Sequence, residues 1–171
     1  MTLIPEYCFS VFSDAGAEFL CSIGVKGIIL DIDNTLEPYE HAQPSEGVLS
    51  WLSELSSVGI KAAFVSNNNS ARVDRFNEEL KLPAYSKAGK PFKKNLKKAM
   101  ADMGTDESNT ILMGDQIFTD VLAAHNAGIP AILLPPIKDK KDLFTRFKRL
   151  LEKPIKKKYY KNEKRKKKHE C

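Results

Sequence analysis

Short apolar runs alternate with longer amphipathic stretches across the middle of the chain. The run 27–30 is apolar at successive positions, which is typical of a strand buried on both faces. The runs 62–65, 110–113 and 131–134 have the same character, and a shorter strand is predicted near residues 84–85. We therefore predict a sheet of buried strands that are separated by helical stretches.

The amphipathic stretches have the apolar spacing of helices. The first is predicted to end at Gly59 and the last at Gly128, because glycine readily closes a helix. Ser70 is predicted to cap a helix whose apolar positions continue to Leu80, and Pro91 to stand in the first turn of the next helix. Strands that alternate with helices predict the α/β class: a parallel sheet covered on both faces, in a Rossmann-like three-layer sandwich.

Composition places the chain among ordinary soluble proteins. Hydrophobic residues make up 42% and charged residues 29% of the 171 residues, which is typical of one globular domain. The three cysteines form no spaced pair typical of a zinc site or a disulfide framework, which favours a reducing compartment. Neither a signal peptide nor a transmembrane span is evident, so we expect a cytoplasmic protein.

The formal net charge of +5 is divided unevenly along the chain. Residues 153–171 contain ten Lys or Arg and two Glu, whereas the other 152 residues contain seventeen basic and twenty acidic side chains. The predicted organisation is therefore an N-terminal segment 1–24, a slightly acidic domain 25–152 and a basic tail 153–171. The tail suits peripheral contact with an anionic inner membrane face, contact with RNA, or a disordered solubilising end.

The N-terminal segment is rich in large apolar residues. Tyr7, Phe9, Phe12, Phe19 and Leu20 fit a partly apolar helix that docks on a membrane. The same residues also fit a helix packed on the sheet, or an irregular segment. The sequence leaves these alternatives open.

Polar residues follow four of the predicted strands where each strand ends. Asp31 and Asp33 follow the first strand, Ser66 follows the second, Lys90 lies beyond the third and Asp115 follows the fourth. In a parallel sheet the carboxyl ends of the strands share one edge, and ligands bind there. We therefore predict one functional site that is built from these residues.

Asp31 and Asp33 are two carboxylates only two residues apart. The first can attack phosphorus and form an aspartyl-phosphate, and the second can protonate the leaving oxygen and later deprotonate water. Two carboxylates would repel a phosphate unless a cation intervened, so the pair predicts a hard cation with oxygen ligands, Mg²⁺ first. The alternative is that Asx-turns of this pair merely cap the junction of strand and loop.

A Gly-Asp step after the fourth strand supplies further carboxylates. Gly114 allows the backbone to pass closely, and Asp115 can provide the metal ligand that the first pair lacks. Asp120, at the start of the next helix, can support the metal site. Alternatively, Asp120 is an acid favoured by the helix dipole, with Thr119 as the helix cap.

The remaining polar residues suit a phosphate. The Ser66 hydroxyl can donate to a phosphate oxygen, and the Lys90 ammonium can neutralise charge in the transition state. Thr35 and Asn67 complete the predicted phosphate-binding set. Lys87 is a rival to Lys90, because the same loop offers both. Seen alone, a serine after a strand fits a plain polar loop, and a lysine fits a solvated surface.

These motifs, in this order, resemble those of the haloacid dehalogenase (HAD) phosphatases. The segments 24–36, 65–69 and 114–121, with 142–146 near the end of the domain, resemble more narrowly the YqeG-like members of subclass IIIA. The resemblance covers about residues 20–150. It implies a HAD core for the predicted sheet.

The resemblance also implies roles for the site residues. It implies Asp31 as the nucleophile and a metal ligand, and Asp33 as the acid/base, whose backbone carbonyl also binds the metal. Because dehalogenase relatives lack the second Asp, Asp33 also favours phosphate chemistry. The other residues are implied as phosphate ligands, Ser66 and Lys90, and as Mg²⁺ ligands, Asp115 and Asp120.

Motif spacing bears on the size of the substrate. Only 32 residues separate Asp33 from Ser66, and 23 separate Ser66 from Lys90. One helix and one strand use up each gap, so we expect no cap domain and an open site. An open site favours a phosphate on a large molecule, although some capless relatives take small substrates by oligomerising.

The YqeG-like proteins are similar to the mitochondrial phosphatidylglycerophosphatase. This similarity implies phosphatidylglycerophosphate as the substrate and phosphatidylglycerol as the product. One alternative is a phosphatase that acts on a protein, nucleotide or RNA phosphate, with its basic tail bound to RNA or the ribosome. Another is a catalytically silent interaction module with a HAD fold.

Overall fold

The computed structural model describes residues 3–138, 154–155, 157–159 and 161. In this part of the chain six strands form one sheet in the order β1-β6-β5-β2-β3-β4, and all neighbouring strands are parallel. The strands are β1 (Tyr7–Cys8), β2 (Gly27–Leu30), β3 (Lys61–Val65), β4 (Ala84–Tyr85), β5 (Thr110–Gly114) and β6 (Ala131–Leu133). The five predicted strands are confirmed, and β1 is an additional edge strand.

Helices cover both faces of this sheet. They are α1 (Ala17–Ser22), α2 (Glu46–Ser57), α3 (Ser70–Phe76), α4 (Lys94–Met103) and α5 (Leu122–Ala127), with a 3₁₀ turn at Phe12–Asp14 and a π-helical turn at Ile117–Val121. Successive strand residues point to opposite faces: Ile28 and Leu30 pack in one apolar cluster with α1, α2 and α3, whereas Ile29 packs in a second cluster with α4 and α5. The predicted three-layer α/β sandwich is therefore confirmed.

Strand β2 lies in the middle of the sheet and carries the first motif. All four of its residues are buried, and Leu30 pairs with Phe64 on one side and with Met113 on the other. Asp31 continues this pairing, because its backbone N–H donates to the Met113 carbonyl at 3.0 Å. The backbone at Asp31 is therefore fixed at the end of a strand that is paired on both sides.

Helix α3 differs from its prediction at both ends. Asn69 caps it rather than Ser70, because Asn69 Oδ1 accepts a hydrogen bond from the backbone N–H of Arg72 at 2.9 Å. The helix also ends before its last predicted turn. There the side-chain amide of Asn77 bonds the N–H and the C=O of Leu82, at 3.0 and 2.7 Å, and so turns the chain toward β4.

Helix α4 begins at Lys94 and not at Pro91, so the predicted first-turn position of Pro91 is wrong. The chain first makes a turn in which the N–H of Phe92 donates to the carbonyl of Gly89 at 2.9 Å. Gly89 adopts a φ of 69°, which glycine tolerates at no steric cost. This turn places Lys90 at the edge of the sheet, ahead of the helix.

The N-terminal segment packs on the sheet. β1 pairs with β6, and the rings of Tyr7 and Phe9 both contact Phe19 edge-on, with centroids 5.1 and 5.0 Å apart. Phe12 packs against Trp51 of α2 at 5.2 Å. These side chains are used for packing and do not form a membrane-docking helix. The segment packs on the sheet as the second alternative predicts, but as a strand, a 3₁₀ turn and the short helix α1 rather than as one helix.

The connections that flank the motifs are short. Between Asp33 and Ser66 the chain forms a loop, α2 and β3, and between Ser66 and Lys90 it forms α3 and β4. Neither of these described connections contains a further domain. No helix in the described residues is long and apolar enough to cross a membrane.

Part of the basic tail is also described. Residues 154–155, 157–159 and 161 are helical, and Ile155 packs on the cluster formed by α4 and α5. The rest of the tail 153–171, and the segment 142–146, lie outside the described residues.

Candidate active site

A buried ion-pair chain lies at the carboxyl edge of the sheet. The ammonium of Lys90 lies 2.7 Å from Asp31 Oδ1 and 2.6 Å from Asp120 Oδ1. All three side chains are less than one-tenth exposed. Because ion pairs are strengthened where water is excluded, Lys90 fixes the orientation of the Asp31 carboxylate.

Lys90, and not Lys87, faces the predicted nucleophile. Lys87 is exposed, with a φ of 45° and its N–H bonded to the Asn68 carbonyl at 2.7 Å. The position of Lys90 is fixed by the Asn67 side chain, which accepts from the Lys90 N–H at 2.7 Å and donates to the Lys90 carbonyl at 3.1 Å. The side chain of Asn67 is thus engaged with the loop of Lys90, and its predicted phosphate role stays a prediction.

Gly114 makes room for Asp120. A Cβ atom at residue 114 would lie 2.4 Å from Asp120 Cγ and 2.5 Å from its Oδ2. The same Oδ2 accepts from the backbone N–H of Gln116 at 3.0 Å, while Oδ1 accepts from Lys90. Asp120 is 1% exposed, so it is a buried member of the site rather than a surface acid at a helix start.

Three carboxylates converge around this ion-pair chain. Asp31, Asp115 and Asp120 each offer an oxygen atom, and these three atoms lie within 4.8 Å of one another. The Asp33 carboxylate lies outside this group, and its two oxygens accept hydrogen bonds from Arg72 and Asn68. Its predicted contact with the metal, through the backbone carbonyl, stays a prediction.

Burial and charge set the protonation of the central pair. Burial raises the pKa of Asp31 from 3.8 to about 6; the Lys90 ammonium acts in the opposite direction and Asp120 adds to the rise. Burial alone would lower the pKa of Lys90, but the Asp120 and Asp31 carboxylates outweigh it and raise that pKa. Lys90 is therefore charged at neutral pH. A cation bound to Asp31 would lower the pKa of Asp31 again.

The loop after β2 folds back on itself and brings Thr35 to the nucleophile. The backbone N–H of Thr35 donates to the Ile32 carbonyl at 3.3 Å, and its buried hydroxyl donates to Asp31 Oδ2 at 3.2 Å. Asn34 turns the chain with a φ of 63°, which asparagine tolerates better than most residues. Thr35 and Lys90 therefore each hold a different oxygen of the Asp31 carboxylate.

Ser66 occupies the predicted position at the end of β3. It is 2% exposed, and its hydroxyl oxygen accepts from the N–H of Asn68 at 3.1 Å. An open cavity of about 360 Å³ lies over this part of the sheet edge, and its lining includes Asp31, Asp33, Tyr39, Ser66, Asn67 and Gln116. The four strand ends are thus brought together as predicted, beside a space that a phosphate could enter.

Sequence reasoning missed two side chains at this edge. Arg72 Nε donates to Asp33 Oδ1 at 3.0 Å, and Asn68 Nδ2 donates to Asp33 Oδ2 at 2.8 Å. Asn68 belongs to the segment 65–69 that carries the family resemblance, so its neighbourhood was visible in the sequence. Only one weak sequence signal pointed to Arg72. It lies in the first turn of a helix, where the helix dipole disfavours a cation.

Known proteins resemble the chain over this region. The sequence model of the haloacid dehalogenase-like hydrolase family matches residues 25–134. The probable phosphatase YqeG of Bacillus subtilis (strain 168) is 38% identical over 131 residues, which are 77% of this chain and 76% of that protein. The phosphoglycolate phosphatase of Caulobacter vibrioides is 28% identical over 104 residues, which are 56% of this chain and 44% of that protein.

The fold has solved counterparts. The cobalt-bound deoxy-D-mannose-octulosonate 8-phosphate phosphatase of Haemophilus influenzae superposes with a TM-score of 0.52 at 17% identity, over 62% of this chain and 67% of that one. This likeness confirms the fold, and the family match covers every predicted site residue. The chain belongs to the haloacid dehalogenase-like hydrolase family, and it is a HAD-type phosphatase with YqeG as a homologue.

Proposed function

We propose that the protein is a Mg²⁺-dependent phosphomonoester hydrolase that works through a phosphoryl group on Asp31. The observation that carries this proposal is the buried Lys90 ammonium, which holds Asp31 Oδ1 at 2.7 Å beside an open cavity. A carboxylate fixed in this way can attack phosphorus without first being ordered. The positive charge of Lys90 can also offset the negative charge that develops on the phosphoryl oxygens.

The donor set suits Mg²⁺. Asp31, Asp115, Asp120 and Lys90 together carry three negative charges and one positive charge, a net charge of two negative units that a divalent cation would balance. Carboxylate oxygens are the ligands that hard divalent cations prefer. Asp31 and Asp115 would hold the ion, with Asp120 supporting them and the Asp33 carbonyl as a further ligand. When bound, Mg²⁺ neutralises the carboxylates and polarises the phosphoryl group.

The first half-reaction transfers the phosphoryl group to the enzyme. An Asp31 oxygen forms a bond to phosphorus while the bond from phosphorus to the substrate oxygen breaks. The Asp33 carboxyl group gives its proton to the leaving oxygen, so the product departs as an alcohol. Thr35 and Lys90 keep the Asp31 carboxylate directed at the phosphorus throughout.

The second half-reaction restores the enzyme. Asp33, now ionised, accepts a proton from water as the water oxygen forms a bond to phosphorus. The bond between phosphorus and Asp31 breaks, and inorganic phosphate leaves. Asp33 ends protonated and Asp31 ionised, as they began.

The substrate we propose is phosphatidylglycerophosphate, in line with the YqeG-like resemblance. The exposed apolar side chains support a large, partly apolar substrate. Val11, Tyr39, Phe92 and Ile137 lie in loops that follow the carboxyl ends of strands, on the same edge as the site, and they are 47–75% exposed. Apolar side chains around an open site can enter the interface of a bilayer.

We propose that the enzyme lies in the cytoplasm with peripheral contact at the inner membrane face, and the basic tail supports this location. Lys157, Lys158 and Lys161 are exposed, and clustered lysines are attracted to anionic lipids by about 1 kcal/mol each. The competing candidate is a phosphorylated protein, nucleotide or RNA, with the tail on RNA or the ribosome. Deleting residues 156–171, which keeps the packed Ile155, separates these: loss of binding to anionic vesicles favours the lipid, and loss of binding to RNA favours the competitor.

The direct test is Mg²⁺-dependent phosphate release from phosphatidylglycerophosphate in mixed micelles, with Asp31→Asn as the blank. We expect turnover that requires Mg²⁺ and disappears in the variant. Hydrolysis of an aryl phosphate without hydrolysis of the lipid would keep the enzyme class and reject the lipid. Silence on both substrates would support the catalytically silent interaction module.

A further inference from the structure

Asp33 is held by a residue outside the matched motifs. Arg72, in the first turn of α3, donates from Nε to Asp33 Oδ1 at 3.0 Å and from Nη1 to the carbonyl of Ala42 at 2.9 Å. Its side chain is only 9% exposed, and its guanidinium carbon lies 5.3 Å from the centre of the Phe76 ring. Arg72 therefore connects α3, the loop before α2 and the carboxylate that follows β2.

The two oxygens of Asp33 are held unequally. Oδ1 faces the charged, planar guanidinium of Arg72, whereas Oδ2 accepts at 2.8 Å from Nδ2 of Asn68, a neutral amide. Charge-assisted hydrogen bonds are about twice as strong as neutral ones. Oδ2 is therefore the oxygen that can exchange its partner for a substrate oxygen or a water, while Oδ1 stays in place.

One further donor of the Arg72 guanidinium also lies near Asp33. This donor, Nη2, is buried and has no hydrogen-bond partner among the described residues. Nη2 shares an edge of the planar guanidinium with the Nε–H group, so it stands on the side of Asp33. A buried donor without a partner normally costs about 1–3 kcal/mol, and Nη2 is a second donor that can help to keep Oδ1 in place.

We infer that Arg72 is the positioning residue of the acid/base: it anchors Asp33 Oδ1 and leaves Oδ2 as the atom that carries the proton. In the first half-reaction the Oδ2 proton passes to the leaving oxygen while Asp31 takes the phosphoryl group. In the second, Oδ2 accepts a proton from the attacking water. The inference rests on the proposed function, because it presupposes that Asp33 is the acid/base.

Leaving-group dependence tests this role. The wild type, Arg72→Met and Arg72→Lys are compared on p-nitrophenyl phosphate, whose phenolate leaves without a proton, and on benzyl phosphate, whose alkoxide needs one. We expect Arg72→Met to lower kcat/KM about a hundredfold for benzyl phosphate but less than about fivefold for p-nitrophenyl phosphate. Arg72→Lys should recover part of the loss, because it restores the charge without the planar fork. Arg75→Met, an exposed arginine on the same helix, is the matched control and should behave as the wild type.

The Asp33→Asn background separates positioning from mere structure. For each variant, kcat/KM on benzyl phosphate is divided by kcat/KM on p-nitrophenyl phosphate. If Arg72 acts through Asp33, this ratio is the same in Asp33→Asn and in the double variant that also carries Arg72→Met. Equal losses on both substrates, or a further change of that ratio in the double variant, would overturn the inference. Arg72→Lys in the same background keeps the test valid if Arg72→Met does not fold. Turnover that persists in Asp31→Asn would instead reject the proposed function itself.

Discussion

Gly114→Ala should disrupt the active site by displacing Asp120, which packs against residue 114. The added Cβ would lie 2.4 Å from Asp120 Cγ and 2.5 Å from Asp120 Oδ2. Asp120 cannot yield freely, because its Oδ1 accepts from Lys90 at 2.6 Å and its Oδ2 from the Gln116 N–H at 3.0 Å. Ordinary contact requires Asp120 to move by about 1 Å, which breaks one of these bonds.

The expected size of the effect follows from that movement. Overpacking a buried position costs about 1–3 kcal/mol of unfolding free energy. A displacement of about 1 Å in a residue that orients a catalytic group costs about a hundredfold in rate. The same substitution at Gly47 provides the control, since that glycine is exposed in α2 and a Cβ there would meet only Ser45 Oγ, at 3.8 Å. Gly47→Ala should stabilise the protein by up to about 1 kcal/mol.

Two measurements examine this prediction. Urea unfolding gives the change in free energy, and Mg²⁺-dependent hydrolysis of p-nitrophenyl phosphate gives the change in kcat. The steric argument would be refuted if Gly114→Ala kept both the wild-type unfolding free energy and a kcat within twofold of the wild type. In that case Asp120 would not be held against residue 114 as the structure describes.

Further predictions concern the lysine pair, pH and the exposed rim of the site. Lys90→Met should lower kcat on p-nitrophenyl phosphate by at least about a hundredfold, whereas Lys87→Met should stay within about threefold; equal losses would contradict the assignment of Lys90. Because burial raises the pKa of Asp31 from 3.8 to about 6, the metal-free native state binds a proton that the unfolded chain has released. The stability that protonation of Asp31 contributes is fully present below about pH 4 and is lost as pH rises through 6. The loss amounts to up to about 3 kcal/mol of unfolding free energy. Asp31→Asn should therefore become more stable relative to the wild type across that range in urea unfolding with EDTA, and a flat difference would contradict it. Phe92→Ser should reduce turnover of phosphatidylglycerophosphate in anionic vesicles severalfold but leave p-nitrophenyl phosphate unaffected, whereas Val58→Ser, 49% exposed at the opposite edge of the sheet, should change neither.

The fold was largely visible in the sequence because its central strands are buried on both faces. Short, largely apolar runs such as 27–30 and 110–113 are typical of such strands. The edge strand Tyr7–Cys8 was not visible, since two residues carry no periodicity and their pairing with β6 is a long-range contact. Helix ends were also misplaced, because the competition between Asn69 and Ser70 is decided by local geometry that neighbouring residue types do not reveal.

The site was predictable where chain position alone determines it. Asp31, Ser66 and Asp115 each directly follow a buried strand, so the parallel sheet must bring them to one edge. The partners of these residues depend on side-chain packing instead. The bond of Lys90 to Asp120 and that of Arg72 to Asp33 join segments 30 and 39 residues apart, and no spacing rule connects such pairs.

The central claim is that phosphoryl transfer passes through Asp31. It is tested most directly by acid quenching of the Asp33→Asn variant during turnover of p-nitrophenyl phosphate with Mg²⁺, followed by mass spectrometry of its peptides. Because that variant lacks the base for the second half-reaction, we predict that it accumulates a phosphoryl group on Asp31. A phosphoryl group on another residue, or continued turnover in Asp31→Asn with no phosphorylated enzyme at all, would contradict the account.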